Sequence, residues 1–74
     1  MIVNDEKYYE DLYNEACEHH SYLRASIKIY KPWGSDSIAA WLDDGSVLKI
    51  KRTAPGRFTF QALSEDDINK KFSN

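Results

Sequence analysis

Residues 37–62, SIAAWLDDGSVLKIKRTAPGRFTFQA, decide the fold because turn residues divide them into three strands. The first break is Asp-Asp-Gly at residues 43–45, and the second is Pro55-Gly56. Side chains alternate between the two faces of a strand. The length of each loop therefore decides which side chains share a face.

The first loop is predicted to contain three residues, 43–45, as a type I turn followed by Gly45 in the left-handed conformation. A two-residue loop would instead place Ile38 on the face that carries Lys49, which mixes core with charge. Three residues bring Ile38 opposite Ile50. The three-residue loop is the one that keeps apolar side chains together.

The second loop, at residues 54–57, is predicted to be odd-numbered for the same reason. It puts three further residues on the apolar face of Leu48 and Ile50, namely Phe58, Phe60 and Ala62. We therefore expect an antiparallel meander. Its other face is mixed and partly aromatic, with Ala39, Trp41, Val47, Lys49, Lys51, Thr59 and Gln61.

Length and composition bound the class of protein. A chain of 74 residues makes one domain, residues 1–74, and buries only ~60% of its unfolded surface. The single cysteine, Cys17, excludes an internal disulfide, and two histidines with it are too few for a four-ligand zinc site. The first residues lack the features of a signal peptide, and no segment approaches the ~20 apolar residues of a membrane span. We expect a soluble, cytoplasmic protein with no cofactor and no membrane partner.

A helix of about five turns is predicted from Asn4, a favourable N-cap, with Val3 packing on Tyr8 as a hydrophobic staple. Apolar and aromatic residues then recur at spacings of three and four, which is typical of one buried helix face. These inward residues are Tyr9, Leu12, Tyr13, Ala16, His20 and Leu23.

A second stripe on this helix is acidic, carries two tyrosines and lies well away from the buried face. We call it the acidic tyrosine stripe; its members are Tyr8, Asp11, Glu15, Glu18 and Tyr22. It is either a solvated surface, which includes a Lys7–Asp11 helix pair, or a face that binds a basic partner. All three acids are expected to be free of any role in the core.

From Leu23 the apolar period changes to two, which predicts the first of four strands, with Ile27 and Ile29 facing inward. At the other end, Ser64 and Asp67 form a capping box that begins a short helix. The predicted fold is α+β: a four-stranded antiparallel meander with an N-terminal and a short C-terminal helix packed on one face, in the order α-β-β-β-β-α.

The uncovered sheet face would then offer a second candidate surface of aromatic and basic residues, namely Arg24, Lys28, Tyr30, Trp41, Lys49 and Lys51. Aromatic rings among lysines and arginines on an open sheet are used to stack unpaired bases. The acidic isoelectric point of 5.6 counts against this interpretation. Direct binding of single-stranded nucleic acid is the alternative function.

No catalytic or metal motif stands out. Cys17 with His20, and Glu15 with His19, have spacings that could ligate a metal, but neither pair has partner ligands in the sequence. We therefore expect a non-enzymatic protein-binding module, an inhibitor or adaptor that occludes a basic, nucleic-acid-handling protein. In size, charge and lack of catalytic motifs the chain looks like the accessory proteins of phages and plasmids, including inhibitors of host defence nucleases.

Overall fold

The computed structural model describes residues 5–72, which form three helices and one four-stranded sheet. The elements are α1 (Asp5–His19), α2 (Tyr22–Ser26), β1 (Ile27–Gly34), β2 (Ser37–Leu42), β3 (Val47–Ala54), β4 (Arg57–Leu63) and α3 (Glu65–Phe72). The sheet is antiparallel, with strand order β1-β2-β3-β4. The predicted α+β class, with its N-terminal helix, meander and short C-terminal helix, is confirmed. The predicted cap at Asn4 and the staple from Val3 lie outside the described residues.

The β2–β3 hairpin has the predicted three-residue loop. Ile38 lies opposite Ile50. The Leu42 N–H donates to the Ser46 carbonyl at 2.9 Å, and the Gly45 N–H donates to the Leu42 carbonyl at 3.0 Å. Gly45 has a φ of 90°, a conformation that side chains disfavour. The parity argument therefore identified both the loop length and the residue that makes it possible.

The β3–β4 hairpin places Ile50 opposite Phe60, as predicted. The odd-numbered loop predicted for this hairpin is wrong, however. The turn itself holds only two residues between Ala54 and Arg57, and the extra residue is an irregularity in β3 between Arg52 and Ala54. The bulge restores the register that keeps the apolar residues on one face.

Helix α1 packs on this apolar face. The buried cluster contains Leu12, Ala16, Cys17, Leu23, Ile38, Ala40 and Ile50, with half-buried aromatic side chains around it. All six residues of the predicted inward stripe are buried or half-buried. Burial raises the pKa of the Tyr13 hydroxyl, and a hydrogen bond with the Cys17 thiol adds to this effect.

The strand predicted from Leu23 begins later. Helix α1 ends at His19, and α2 follows before β1 starts at Ile27. One helical turn carries Leu23 into the core, and the Ser26 carbonyl accepts the Asp43 N–H at 2.9 Å, which joins α2 to the β2–β3 loop. A segment as short as α2 is compatible with both the helical period of 3.6 residues and the strand period of two. Spacing in the sequence alone therefore cannot distinguish this helical turn from a strand.

An irregularity in β1 also reverses the predicted facing of its side chains. The register shifts between Ile27 and Ile29, so Ile29 is 54% exposed, although it was predicted to face inward. Tyr30 takes the inward position and stacks on Tyr13, with ring centroids 4.4 Å apart and planes 9° apart. The stacked pair seals the core beside α1.

Helix α3 does not pack beside α1 as predicted, but on the opposite face of the sheet. Its Phe72 ring lies 5.7 Å from the ring of Trp33 and 6.2 Å from that of Trp41. Both Ala39 and Val47, which share the Trp41 face, are buried. The physical reason is that α1 and α2 already cover the first face, whereas this face has apolar side chains that also need a cover.

The capping box that begins α3 is confirmed. The Ser64 N–H donates to the Asp67 carboxylate at 3.1 Å, and the Asp67 N–H donates to the Ser64 hydroxyl at 3.1 Å. The Ser64 N–H, together with the hydroxyl, holds the pKa of Asp67 below its ordinary value. No helix within residues 5–72 combines the length and the apolar character needed to cross a membrane.

Gly45→Val should destabilise the fold. Nothing lies within 4 Å of an added Cβ, so the cost comes from the backbone at φ 90° and amounts to about 1 kcal/mol or more. In a domain of this size that lowers the melting temperature by roughly 4–8 °C. Gly34→Ala is the control, because its added Cβ would lie at an ordinary 3.5 Å from the Ser37 hydroxyl. Equal melting temperatures for both variants would contradict the left-handed loop.

Candidate interaction surface

Arg52 is the centre of the polar contacts between α1 and the sheet. Its Nη1 donates to Glu15 Oε1 at 2.7 Å, and its Nη2 donates to the Tyr8 hydroxyl at 3.1 Å. The guanidinium carbon lies 5.4 Å from the Tyr8 ring centroid, and Nη2 lies 3.9 Å from Asp36 Oδ1. One cation therefore holds the helix, the β1–β2 turn and β3 together.

The second oxygen of Glu15 extends this network to the β3–β4 turn. Glu15 Oε2 accepts the Gly56 N–H at 2.6 Å. The Gly56 N–H, followed by the Arg52 guanidinium, holds the pKa of Glu15 below its ordinary value. Glu15 was expected to be free of structural duties, and that expectation is wrong. The side chain pairs with residues 37 and 41 positions away, which helix spacing does not reveal.

The two tyrosines of the acidic tyrosine stripe also differ from a continuous helix face. Tyr8 is 37% exposed, its hydroxyl accepts a hydrogen bond from Arg52, and its ring lies against the Arg52 guanidinium. Tyr22 is 61% exposed but lies on α2, beyond the end of α1 at His19, with its ring 6.1 Å from that of His20. The break between the two helices divides the predicted stripe.

Asp11 and Glu18 are the stripe acids that remain exposed on α1, and we call this pair the acidic ridge. The predicted pair with Lys7 is confirmed, with Nζ 3.3 Å from Asp11 Oδ1 and both side chains more than half exposed. Glu6 and Glu10 are exposed as well. The outer surface of α1 is therefore acidic, even though Glu15 is occupied internally.

The candidate sheet-face residues are not brought together as one surface. Trp41, Lys49 and Lys51 share the face that α3 partly covers. Tyr30 points to the other face, against Tyr13. Arg24 lies on α2, with its guanidinium 5.7 Å from the Tyr13 ring, and the sixth residue, Lys28, is exposed at the irregularity in β1.

The aromatic part of this face is engaged with α3. Lys31 Nζ lies 5.7 Å from the Trp41 ring and 5.6 Å from the Phe72 ring, and Lys71 Nζ lies 5.6 Å from the Trp33 ring. Trp33 and Trp41 are half-buried. Phe72 and Lys31 therefore occupy part of the aromatic surface on which a base would stack.

The role of Arg52 had a signal in the sequence that our predictions did not use. Arg52 has the same strand parity as Leu48 and Ile50, so it lies on the face that the helix covers. A charged residue on a face that is being buried requires a partner of opposite charge. Glu15 was the acid on the neighbouring helix edge that could supply it.

Two shallow grooves flank these surfaces. One, of about 350 Å³, is lined by Asp36, Arg52, Thr53, Ala54 and Pro55. The other, of about 290 Å³, is lined by Trp41, Gly45, Ser46, Val47, Leu63, Glu65 and Ile68. Over residues 5–72 no three His, Cys, Asp or Glu side chains are grouped as a metal would require.

The side chains with metal-like spacing are used differently. Cys17 is buried in the core, and the His20 ring packs edge-on against Phe60 at 5.0 Å. His19 lies on the exposed side, 6.2 Å from the Phe58 ring.

Comparison with protein-family models, curated proteins and solved structures found no match to this chain.

The Glu15 network should appear in the pH dependence of stability. Because the pKa of Glu15 in the folded state is below its ordinary value of 4.5, its contribution is complete above that pH and is lost as pH falls through the lowered pKa. Glu15→Gln should therefore lower the melting temperature at pH 7, and the difference from the wild type should shrink below about pH 4.5.

Glu18→Gln is the matched control for this measurement, because Glu18 lies on the same helix and is exposed. Its difference from the wild type should be small at every pH, since exposed charges contribute little. A difference for Glu15→Gln that stays constant between pH 7 and pH 3 would contradict the assigned role of the carboxylate.

Proposed function

We propose that this chain is a small, non-enzymatic protein-binding module that acts as an inhibitor or adaptor. It would occlude a basic, nucleic-acid-handling protein through the exposed surface of α1, centred on the acidic ridge of Asp11 and Glu18. The observation that carries the proposal is that the acids of this helix have different environments. Glu15 balances Arg52 internally, whereas Asp11 and Glu18 face solvent.

Rigidity of α1 supports this proposal. The helix is held by the core, by Arg52, and by the Tyr9 hydroxyl, which donates to the Gly34 carbonyl at 2.9 Å. A surface that is already ordered loses little conformational entropy on binding. The acids are therefore presented in a fixed arrangement to a partner.

Charge gives the proposal its direction. The exposed side chains of α1 include four acids, Glu6, Glu10, Asp11 and Glu18, and one lysine, Lys7. Such a surface attracts lysine and arginine clusters, which proteins use to hold phosphates, and it accelerates their association. Tyr22 is 61% exposed on α2, and it would add apolar contact area only to a partner that extends beyond the end of α1.

The test is a reversal of charge on the acidic ridge, Asp11→Lys with Glu18→Lys. Partners are first captured on the immobilised wild-type chain from a nuclease-treated extract of the native host, and the main retained protein is purified. We expect the retained protein to be basic, and we expect nucleic acid to compete with this chain for binding to it. The reversal should weaken its binding at least tenfold, about 1.4 kcal/mol, mainly through slower association.

Glu6→Lys with Glu10→Lys is the matched control, since it changes the net charge equally and on the same helix. The negative charges of Glu10 and Glu6 act on the Tyr30 hydroxyl, whose pKa is raised first by burial. At about 100° per residue, both acids lie roughly 80–140° around α1 from Asp11 and Glu18. If both variants are folded and weaken partner binding equally, the effect comes from net charge rather than from the acidic ridge, and the proposal is contradicted.

Single-stranded nucleic acid binding remains the second candidate function. The observation that favours it is the grouping of Trp33, Trp41, Lys31, Lys49 and Lys51 on one sheet face. The indoles are half-buried and are contacted by Phe72, whereas the acids of α1 are exposed. The structure therefore supports nucleic-acid binding less than it supports protein binding.

Fluorescence anisotropy with a labelled, unstructured oligonucleotide distinguishes the two candidates. We expect the wild-type chain to show no binding tighter than about 1 µM at physiological salt, the tight end of non-specific affinities. Tighter binding that Lys49→Gln with Lys51→Gln weakens, and that Phe72→Ala strengthens, would instead favour the sheet face.

A further inference from the structure

The two edges of the sheet are protected very differently. Edge strand β1 contains Pro32, which has no N–H to donate, and it is interrupted by register shifts on both sides of its centre. It also carries Lys28 and Lys31, both exposed. Proline, bulges and lysines are the devices with which natural proteins prevent edge strands from pairing with other chains.

Edge strand β4 has none of these devices. Arg57–Leu63, RFTFQAL, is seven residues long, contains no proline or lysine, and pairs with β3 from Arg57 to Leu63 without a register shift of its own. Within residues 5–72, the backbone of residues 58–63 has no hydrogen-bond partner outside β3. The outer row of its N–H and C=O groups is therefore open to another strand.

We propose that β4 is a self-association edge, where a second copy of this chain adds its own β4 antiparallel to form a continuous eight-stranded sheet. Antiparallel pairing centred on Phe60, the midpoint of β4, gives the longest overlap. Phe60 then meets its own copy, Phe58 lies beside the small side chain of Ala62, and Thr59 lies opposite Gln61. Aromatic pairs across neighbouring strands stabilise antiparallel sheets.

Burial and charge both favour a second copy as the occupant. Phe58 and Phe60 are only half-buried at this edge, beside His20, so a pairing strand would cover them further. In the antiparallel arrangement, Arg57 of each chain lies opposite Leu63 of the other, next to the acidic first turn of α3, which begins at Glu65. Arg57 makes no salt bridge with any other residue in the range 5–72.

Sedimentation equilibrium measures this association directly, as a mass that rises from 8.6 kDa toward twice that value with concentration. The disrupting variant is Thr59→Glu with Gln61→Glu. Within one chain these positions lie opposite Lys51 and Lys49, so the added carboxylates support the monomer fold. Across the proposed interface the same carboxylates face each other, and the dimer should weaken about tenfold or more.

The control is Thr59→Glu with Gln61→Lys, which places opposite charges across the same interface; because the new lysine lies opposite Lys49 within the chain, its melting temperature is measured as well. It should dimerise at least as tightly as the wild type. A wild-type chain of 8.6 kDa at all concentrations would overturn the proposal. A dimer that responds equally to both variants would overturn the β4 edge as its interface.

Discussion

The contacts that α1 makes with β3 depend on the loop at residues 43–45. Because Gly45 adopts a φ of 90°, the loop takes three residues, and Ile38 and Ile50 lie opposite each other under the helix. A shift of one residue would turn the lysines of β3 toward α1 and would move Arg52 to the other face. The same register thus assembles the apolar core and brings Arg52 to Glu15. Packing and the principal ion pair are two results of one constraint.

Most of the fold followed from period and parity, because these depend on neighbours in sequence. The length of the β2–β3 loop, the meander order of the strands and the α3 capping box were each correct, whereas the odd-numbered loop predicted between β3 and β4 was wrong. The errors arose where tertiary contacts decide. Residues 22–26 became helical to bury Leu23 and to meet the β2–β3 loop, and a bulge exchanged the facing of Ile29 and Tyr30. The face chosen by α3 depended on which apolar side chains were still uncovered.

The candidate surface was predicted less completely than the fold. Asp11 and Glu18 are exposed, as helix geometry requires, but Glu15 is not available, because its partners lie 37 and 41 residues away. Tyr22 is not part of the same helix face, because α1 ends at His19 and Tyr22 lies on α2. Spacing identifies which side chains point outward from a helix. It does not identify which of those side chains another element will reach.

The first and middle parts of the chain carry opposite net charges, and the fold places these charges in two different environments. Residues 1–22 carry six acids and one base, while residues 23–61 carry seven bases and three acids. Glu15 and Arg52 bring part of this difference inside the fold. The acids that remain outside give α1 a negative surface, whereas the uncovered lysines of β3 lie on the far side of the sheet. The exposed acids of α1 and the lysines of β3 consequently lie on opposite sides of one core.

The burial of Cys17 has a consequence for how motions of this core can be observed. Its thiol is the only one in the sequence, and it is enclosed between α1 and the sheet beside Tyr13. A thiol reagent can reach it only when the helix separates from the sheet, so the labelling rate reports how often this separation occurs. The protein thus contains a natural probe of its own opening, at the position where helix, core and hydrogen-bonded tyrosine meet.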